Sequence, residues 1–292
     1  MFCLLYPVSN GEKMRLKFWG VRGSLPIPGK ETLNYGGNTS CIEIDTGKEN
    51  ETIIIDAGSG IKALGQDLMS KCFYDGKGVG YLFLSHYHLD HILGFPFFSP
   101  FFAKGENKNN FTIYGPKPKN DSLKEIINHL ISAPFFPLSF NRLSAVMDFK
   151  EINPGEVIKL SDITVSTERL NHPGDGLAYR FDSNDISVAY VTDTEPLYEN
   201  KPDSMIADLV KNADLLIYDA TYTPEEYANK KGWGHSTWKH GITLANEASV
   251  KKLVLFHHDL DHSDEKLAQI EKIAGKEFKN VEMAKEGMEI KL

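Results

Sequence analysis

Apolar positions along the chain recur with two periods, and the places where one gives way to the other set out the elements. Residues 15–21, R-L-K-F-W-G-V, alternate polar and apolar as a half-buried strand does. A Gly/Pro loop follows, then strands at C-I-E-I-D from Cys41 and at T-I-I-I-D ending on Asp56, separated by a polar turn at Lys48–Glu51. An amphipathic helix is expected from about Ile61 to Met69, and the run Y-L-F-L, Tyr81 to Leu84, reads as a short buried strand. F-T-I-Y-G-P predicts another strand, residues 121–132 a second amphipathic helix, and the Pro- and Phe-rich stretch 133–142 a surface loop. A second series begins at Ile163, with I-T-V-S-T-E-R-L, L-A-Y-R-F and I-S-V-A-Y-V-T-D, the last two joined by a hairpin at Asp185. Helices are expected over 203–212, from about Trp238 to Ser249 with Ser236 or Thr237 as N-cap, and after Ser263. Between them lie strands D-L-L-I-Y-D, reaching Asp219, and L-V-L-F, and the closing V-E-M-A-K-E-G-M-E-I-K-L predicts a strand pair. No linker-like break separates the two series. The pattern implies an α/β fold in one domain over 14–292, two packed sheets with helices outside, preceded by an extension over 1–13.

The chemistry gathers just beyond strand ends. After Tyr81–Leu84 come His86, His88, Asp90 and His91, four candidate metal ligands within six positions. If strand geometry persists through Tyr87, its period of two turns His86 and His88 to one side. The chain then bends, so that Asp90 and His91 face a second, adjacent point. Imidazole nitrogen with carboxylate oxygen suits zinc, iron or manganese. His172, Asp193 and His257 stand just past later strands, at the sheet ends from which enzymes of this class present their chemistry. His258 is as reachable as His257 by counting, though His257 comes first after the strand. Asp56 is suited to hold the A-G-S-G turn and to orient a ligand histidine. Asn38 and Ser40 are candidates to line a substrate pocket. Five phenylalanines, Phe95, Phe97, Phe98, Phe101 and Phe102, are broken by two prolines; they suit either buried core or an apolar contact patch, and a homodimer rests on the latter.

Composition narrows the partners. The 292 residues are 41% hydrophobic and 25% charged, as in an ordinary globular protein, and Lys+Arg 32 against Asp+Glu 40 leaves a net charge of −8. That balance disfavours a long nucleic acid and favours a small substrate. Three cysteines without ligand spacing imply reduced thiols and a cytoplasmic setting. No apolar run is long enough to cross a bilayer.

The pattern H-x-H-x-D-H at His86, His88, Asp90 and His91, with Asp56 before it and His172, Asp193 and His257 after it, resembles the metallo-β-lactamase superfamily. The resemblance runs from Met14 onward and implies a four-layer αββα sandwich with two metal ions, zinc first, with manganese or iron as substitutes. In that family's terms His86, His88 and His172 would hold one metal, Asp90, His91 and His257 the other, and Asp193 would bridge them. His235-Ser236-Thr237 ahead of a helix, together with the bridging aspartate, resembles the phosphodiesterase branch that includes ribonuclease Z. There His235 would sit over the phosphate and protonate the leaving oxygen, while Asp90 orients a metal-bound hydroxide. The interval from His172 to Asp193 is only a hairpin long, so the transfer-RNA-gripping arm of ribonuclease Z is missing. The resemblance therefore implies hydrolysis of a small phosphodiester such as a 3′,5′-cyclic nucleotide. A ribonuclease Z-like endonuclease acting on RNA 3′ ends, and a regulatory module that binds nucleotide or metal without turnover, are the rival expectations.

Overall fold

The computed structural model describes residues 14–198 and 201–292. The extension expected over residues 1–13 lies outside them. The chain divides into two compact units. One comprises the residues up to Gly20, Ser40–Ile152 and Gly287–Leu292; the other comprises Val21–Thr39 and Asn153–Glu286.

The first unit holds a seven-stranded mixed sheet. Its strands are β1 (Arg15–Gly20), β2 (Cys41–Asp45), β3 (Glu51–Ile55), β4 (Val79–Phe83), β5 (Asn110–Pro116), β6 (Val146–Ile152) and β14 (Glu289–Lys291), in the order β14-β1-β2-β3-β4-β5-β6. Pairing is antiparallel from β14 to β3 and parallel from β3 to β6. Helices α1 (Ile61–Leu68) and α3 (Leu123–Leu130) bury Leu64, Leu68, Leu123 and Ile127 with the sheet residues Ile54, Leu82 and Ile113. A capping box between Ser122 and Glu125 starts α3. The phenylalanine stretch is mostly core: Phe95, Phe98 and Phe101 are fully buried in that cluster, while Phe97 is 58% exposed.

The second unit repeats the plan with seven strands in the order β13-β12-β11-β10-β9-β8-β7. They are β7 (Val157–Leu160), β8 (Ile163–Leu170), β9 (Gly176–Ser183), β10 (Ile186–Val191), β11 (Leu215–Asp219), β12 (Leu253–Phe256) and β13 (Val281–Met283). Pairing is antiparallel from β7 to β10 and parallel from β10 to β13. Helices α4 (Ser204–Leu209), α6 (Trp238–Glu247) and α7 (Asp264–Glu277) pack an aliphatic cluster, Ile206, Ile242, Leu267 and Ile270 among it, with Leu216 and Leu255 of the sheet. Central strands such as β11 and β12 are buried throughout, which is why they read as continuous apolar runs rather than alternating ones.

Two features depart from the sequence pattern. Strands β6 and β7 carried no signal because both are edge strands with largely exposed side chains. The closing residues are not a strand pair: β13 joins β12 in one sheet and β14 joins β1 in the other.

Candidate metal centre

In the first unit the ligand-bearing loop leaves β4 as irregular chain from Leu84 and re-enters order only in the single-turn helix α2 (Leu89–Ile92). The strand geometry that would align His86 and His88 therefore stops short of both. They still come together, with ring centroids 4.5 Å apart, and the His91 ring lies 4.3 Å from that of His86. Asp56 organises the loop. Just past β3 it adopts φ 60°, uncommon for a residue with a side chain, and is fully buried. Its Oδ1 accepts from the Ser85 amide at 2.7 Å and its Oδ2 from His91 Nδ1 at 2.7 Å. The Ser85 hydroxyl, donating to Asp56, has lone pairs left to accept from His86 Nδ1 at 3.1 Å. Both imidazoles thus keep their proton on Nδ1 and turn the Nε2 lone pair outward, as a metal ligand requires. His91 Nε2 and Asp90 Oδ2 lie 3.4 Å apart.

In the second unit the side chains come from four strand ends. His172 follows β8, Asp193 follows β10, Asp219 ends β11 and His257 follows β12. Asp193 and His257 take φ 49° and 61°, the left-handed conformation also seen at Asp56. Backbone strain thus recurs at the strand ends that carry the chemistry. Asp193 Oδ1 is the hub, 3.3 Å from His257 Nε2, 3.7 Å from His235 Nδ1 and 4.0 Å from His172 Nε2. His172 Nδ1 donates to Gly234 O at 2.8 Å, which presents its Nε2 to Asp193. Thr221 does the same for His257: its hydroxyl donates to Asp219 Oδ1 at 2.7 Å and accepts from His257 Nδ1 at 3.0 Å. Gly23 is forced by this packing, since a Cβ there would fall 2.3 Å from the His257 ring.

His258 is not part of this array. It is fully buried, with Nε2 2.8 Å from Ala284 O, and burial drives its pKa down to about 3.

His235 stands beside the hub. Its ring stacks on His257 at 5.0 Å, with Nδ1 3.2 Å from Asp219 Oδ2. The three residues just ahead of α6 divide the work: His235 faces the acids, Ser236 Oγ bonds Tyr218 OH at 3.0 Å, and Thr237 caps α6 by accepting from His240 N. Burial opposes ionisation of Asp219, but the neighbouring His235 and His257 prevail and hold its carboxyl below the ordinary range. Asp219, His235 and His257 each offer a ligand atom within 4.8 Å of the others.

These donors fit divalent cations. Buried carboxylates at Asp56, Asp193 and Asp219 need positive charge, and the imidazole protons are held at Nδ1 by oxygen acceptors. Asn38 and Ser40 are built into the scaffold: Asn38 N and Nδ2 bond the Glu286 carboxylate at 2.5 and 3.0 Å, and Ser40 is fully buried with its carbonyl on Gly58 N. Sequence reasoning passed over Ser85, Thr221 and Asp219. Only Asp219 carried a signal, as an acid ending a buried strand like Asp56.

The chain belongs to the beta-lactamase superfamily domain family, which it matches over residues 51–258. It is a metallo-β-lactamase hydrolase related to ribonuclease Z. Ribonuclease Z of Methanosarcina acetivorans is 25% identical over 324 residues, covering 96% of this chain and 98% of that protein. The metallo-β-lactamase fold protein YhfI from Bacillus subtilis matches in structure with a TM-score of 0.69 at 19% identity, over 96% of this chain and 100% of that one. A diphosphatase of the PhnP family matches with a TM-score of 0.68 at 16% identity, over 96% and 98%. The α/β class with two mixed sheets is as the sequence pattern implied. Among the described residues no helix is long and apolar enough to cross a membrane.

Proposed function

We propose that the protein is a metal-dependent phosphodiesterase for a small phosphodiester, such as a 3′,5′-cyclic nucleotide. Two divalent cations, zinc foremost, would be held by His86, His88 and His172 and by Asp90, His91 and His257, with Asp193 as a further ligand. Bound there, such ions supply Lewis acidity and make water nucleophilic near neutral pH. Asp90 accepts the proton of the attacking water. The water oxygen forms a bond to phosphorus as the opposite P–O ester bond breaks. His235 gives its Nε2 proton to the departing oxygen, while Asp219 keeps the other proton on Nδ1 and stabilises the imidazolium beforehand. Asp56, Ser85, Thr221 and Gly234 O hold the ring orientations. Free thiols at Cys41 and Cys72 fit a reducing, cytoplasmic compartment.

The observation that carries this reading is the His235–Asp219 pair at 3.2 Å beside Asp193, because a pure metal or nucleotide binder has no use for an oriented acid. The diphosphatase likeness and the net charge of −8 favour a small ester. A second reading, an RNA 3′-end endonuclease, is favoured by the ribonuclease Z relatives. Against it, the interval from His172 to Asp193 is filled by the tight β9–β10 hairpin, with no room for an RNA-gripping arm. The test is hydrolysis of bis-p-nitrophenyl phosphate and of cyclic nucleotides by protein supplied with Mn²⁺ or Zn²⁺. Activity that is lost on chelation, and in Asp90→Ala and His235→Ala, is expected. An inert metal-loaded wild type sinks the reading, and salt-sensitive cleavage of RNA alone turns it toward the endonuclease.

A further inference from the structure

Just ahead of His235, the chain displays a tryptophan that the chemistry above does not use. Trp233 is 59% exposed, although tryptophan is highly buried on average. Its backbone is held on both sides. The Glu195 carboxylate accepts from Gly232 N at 2.7 and 2.9 Å and from Gly234 N at 3.0 Å, and Tyr227 OH adds a third donor at 3.1 Å. Glu195 lies two residues beyond Asp193 and is tied to the His172 segment, its amide bonding Asn171 O at 2.9 Å and its carbonyl accepting from Asn171 Nδ2 at 2.9 Å. Gly234 O in turn receives His172 Nδ1. Gly234 sits at φ +85°, where a Cβ would meet the His172 ring at 2.4 Å, so the approach of this loop to the histidine demands glycine. The Lys230 ammonium caps the Trp233 ring at 4.2 Å and reaches the Tyr222 ring at 5.5 Å. Tyr222 in turn stands edge-on to His235 at 5.9 Å.

We infer that Trp233 is a stacking platform for the nucleobase of a nucleotidyl phosphodiester, and so a specificity-determining residue of this active site. The inference rests on the phosphodiesterase reading and adds the class of group attached to the phosphate. A large ring kept in solvent on a pinned backbone is preorganised for a flat ligand, because little ordering remains to be done on binding. Lys230 steadies the ring through a cation–π contact and also reaches the Tyr222 ring that stands next to His235. A base offers a π-face to the ring whatever its identity, so the platform favours nucleotidyl esters over plain alkyl esters without choosing among bases.

The experiment compares thymidine 5′-(p-nitrophenyl phosphate) with methyl p-nitrophenyl phosphate, which share a leaving group and differ in the base-bearing side. Wild type, Trp233→Ala and Trp233→Phe are assayed as Mn²⁺-loaded protein. The ratio of kcat/KM for the base-bearing ester over the methyl ester is expected to fall about 5- to 150-fold in Trp233→Ala, and to be largely kept in Trp233→Phe. An unchanged ratio in Trp233→Ala overturns the platform. If the wild type turns over neither ester, the phosphodiesterase reading fails while the platform is still judged by equilibrium dialysis. Adenosine 5′-monophosphate binding more tightly than ribose 5-phosphate, with the preference lost in Trp233→Ala, supports it; equal binding of the two overturns it.

Discussion

The two units reach similar chemistry by opposite routes. In the first, His86, His88, Asp90 and His91 come from one loop after one strand, and a single buried carboxylate, Asp56, orders it through Ser85 and His91. In the second, His172, Asp193, Asp219 and His257 come from separate strands, brought side by side by the parallel pairing of β10, β11 and β12 and by the antiparallel β8–β9–β10 run. Each unit has a buried strand-end aspartate, but they serve different partners. Asp56 holds the His91 ring directly and the His86 ring through Ser85; Asp219 holds His235 with one oxygen and, through Thr221, His257 with the other. On the proposed function, the difference teaches that acid catalysis hangs on one carboxylate oxygen, Asp219 Oδ2, whereas the metal-facing rings hang on Asp56 and on Asp219 Oδ1 through Thr221.

That separation can be broken most sharply with paired amides. Asp219→Asn, whose amide oxygen can still accept from Thr221, is expected to lower kcat by about 10²–10⁴-fold with metal content retained, the loss general acid catalysis allows. Asp56→Asn is expected instead to weaken metal binding by about 10–100-fold, with activity recovered in excess metal. Steady-state rates across a Mn²⁺ titration, with metal analysis, check both. If excess metal rescues Asp219→Asn and leaves Asp56→Asn dead, the roles are reversed.

A smaller effect sharpens the account of how the second unit holds His172. Gly232 and Gly234 both have positive φ, yet a Cβ at Gly232 meets nothing within 4 Å while one at Gly234 meets the His172 ring at 2.4 Å. Gly232→Ala is expected to cost about 1–2 kcal/mol of stability from the left-handed backbone alone. Gly234→Ala carries the same strain and in addition displaces the histidine, so thermal unfolding should be lowered further and metal content should drop. Equal effects would remove Gly234 from the architecture of the site.

The smallest effect lies away from the chemistry, in the sheet that the second unit's ligands depend on. Asp214 accepts from Ser187 N at 2.8 Å and from Lys251 Nζ at 2.6 Å. Burial works against its ionisation, but those partners prevail and hold its carboxyl below the ordinary range. A carboxyl with a depressed folded pKa stabilises the fold above its unfolded value of about 3.9, and that contribution is lost as pH falls through the folded value. Asp214→Asn should therefore lower Tm modestly at neutral pH, and the gap to wild type should close on acidification. A gap that widens below pH ~4 would contradict the sign.

Much of this was legible in the order of residues. The helices over Ile61–Leu68 and Leu123–Leu130, the Thr237 and Ser263 caps and nearly all buried strands follow from periodicity and local hydrogen bonding. The edge strands β6 and β7 were not, because exposed alternating residues carry little apolar signal. The fate of the phenylalanines was also open, since core and contact patch share one composition; burial of Phe98 and exposure of Phe97 separate them.

By itself the sequence determined that His86, His88, Asp90 and His91 gather at one place, because side chains that close together along the chain cannot be far apart in space. It equally determined which strand ends carry His172, Asp193 and His257. Only the tertiary structure decided that Asp219 serves His235, that Thr221 and Gly234 set ring orientation, and that His258 turns away to Ala284. A hydrogen bond depends on angle and distance between groups remote in sequence, and no local pattern encodes either until the sheets have formed.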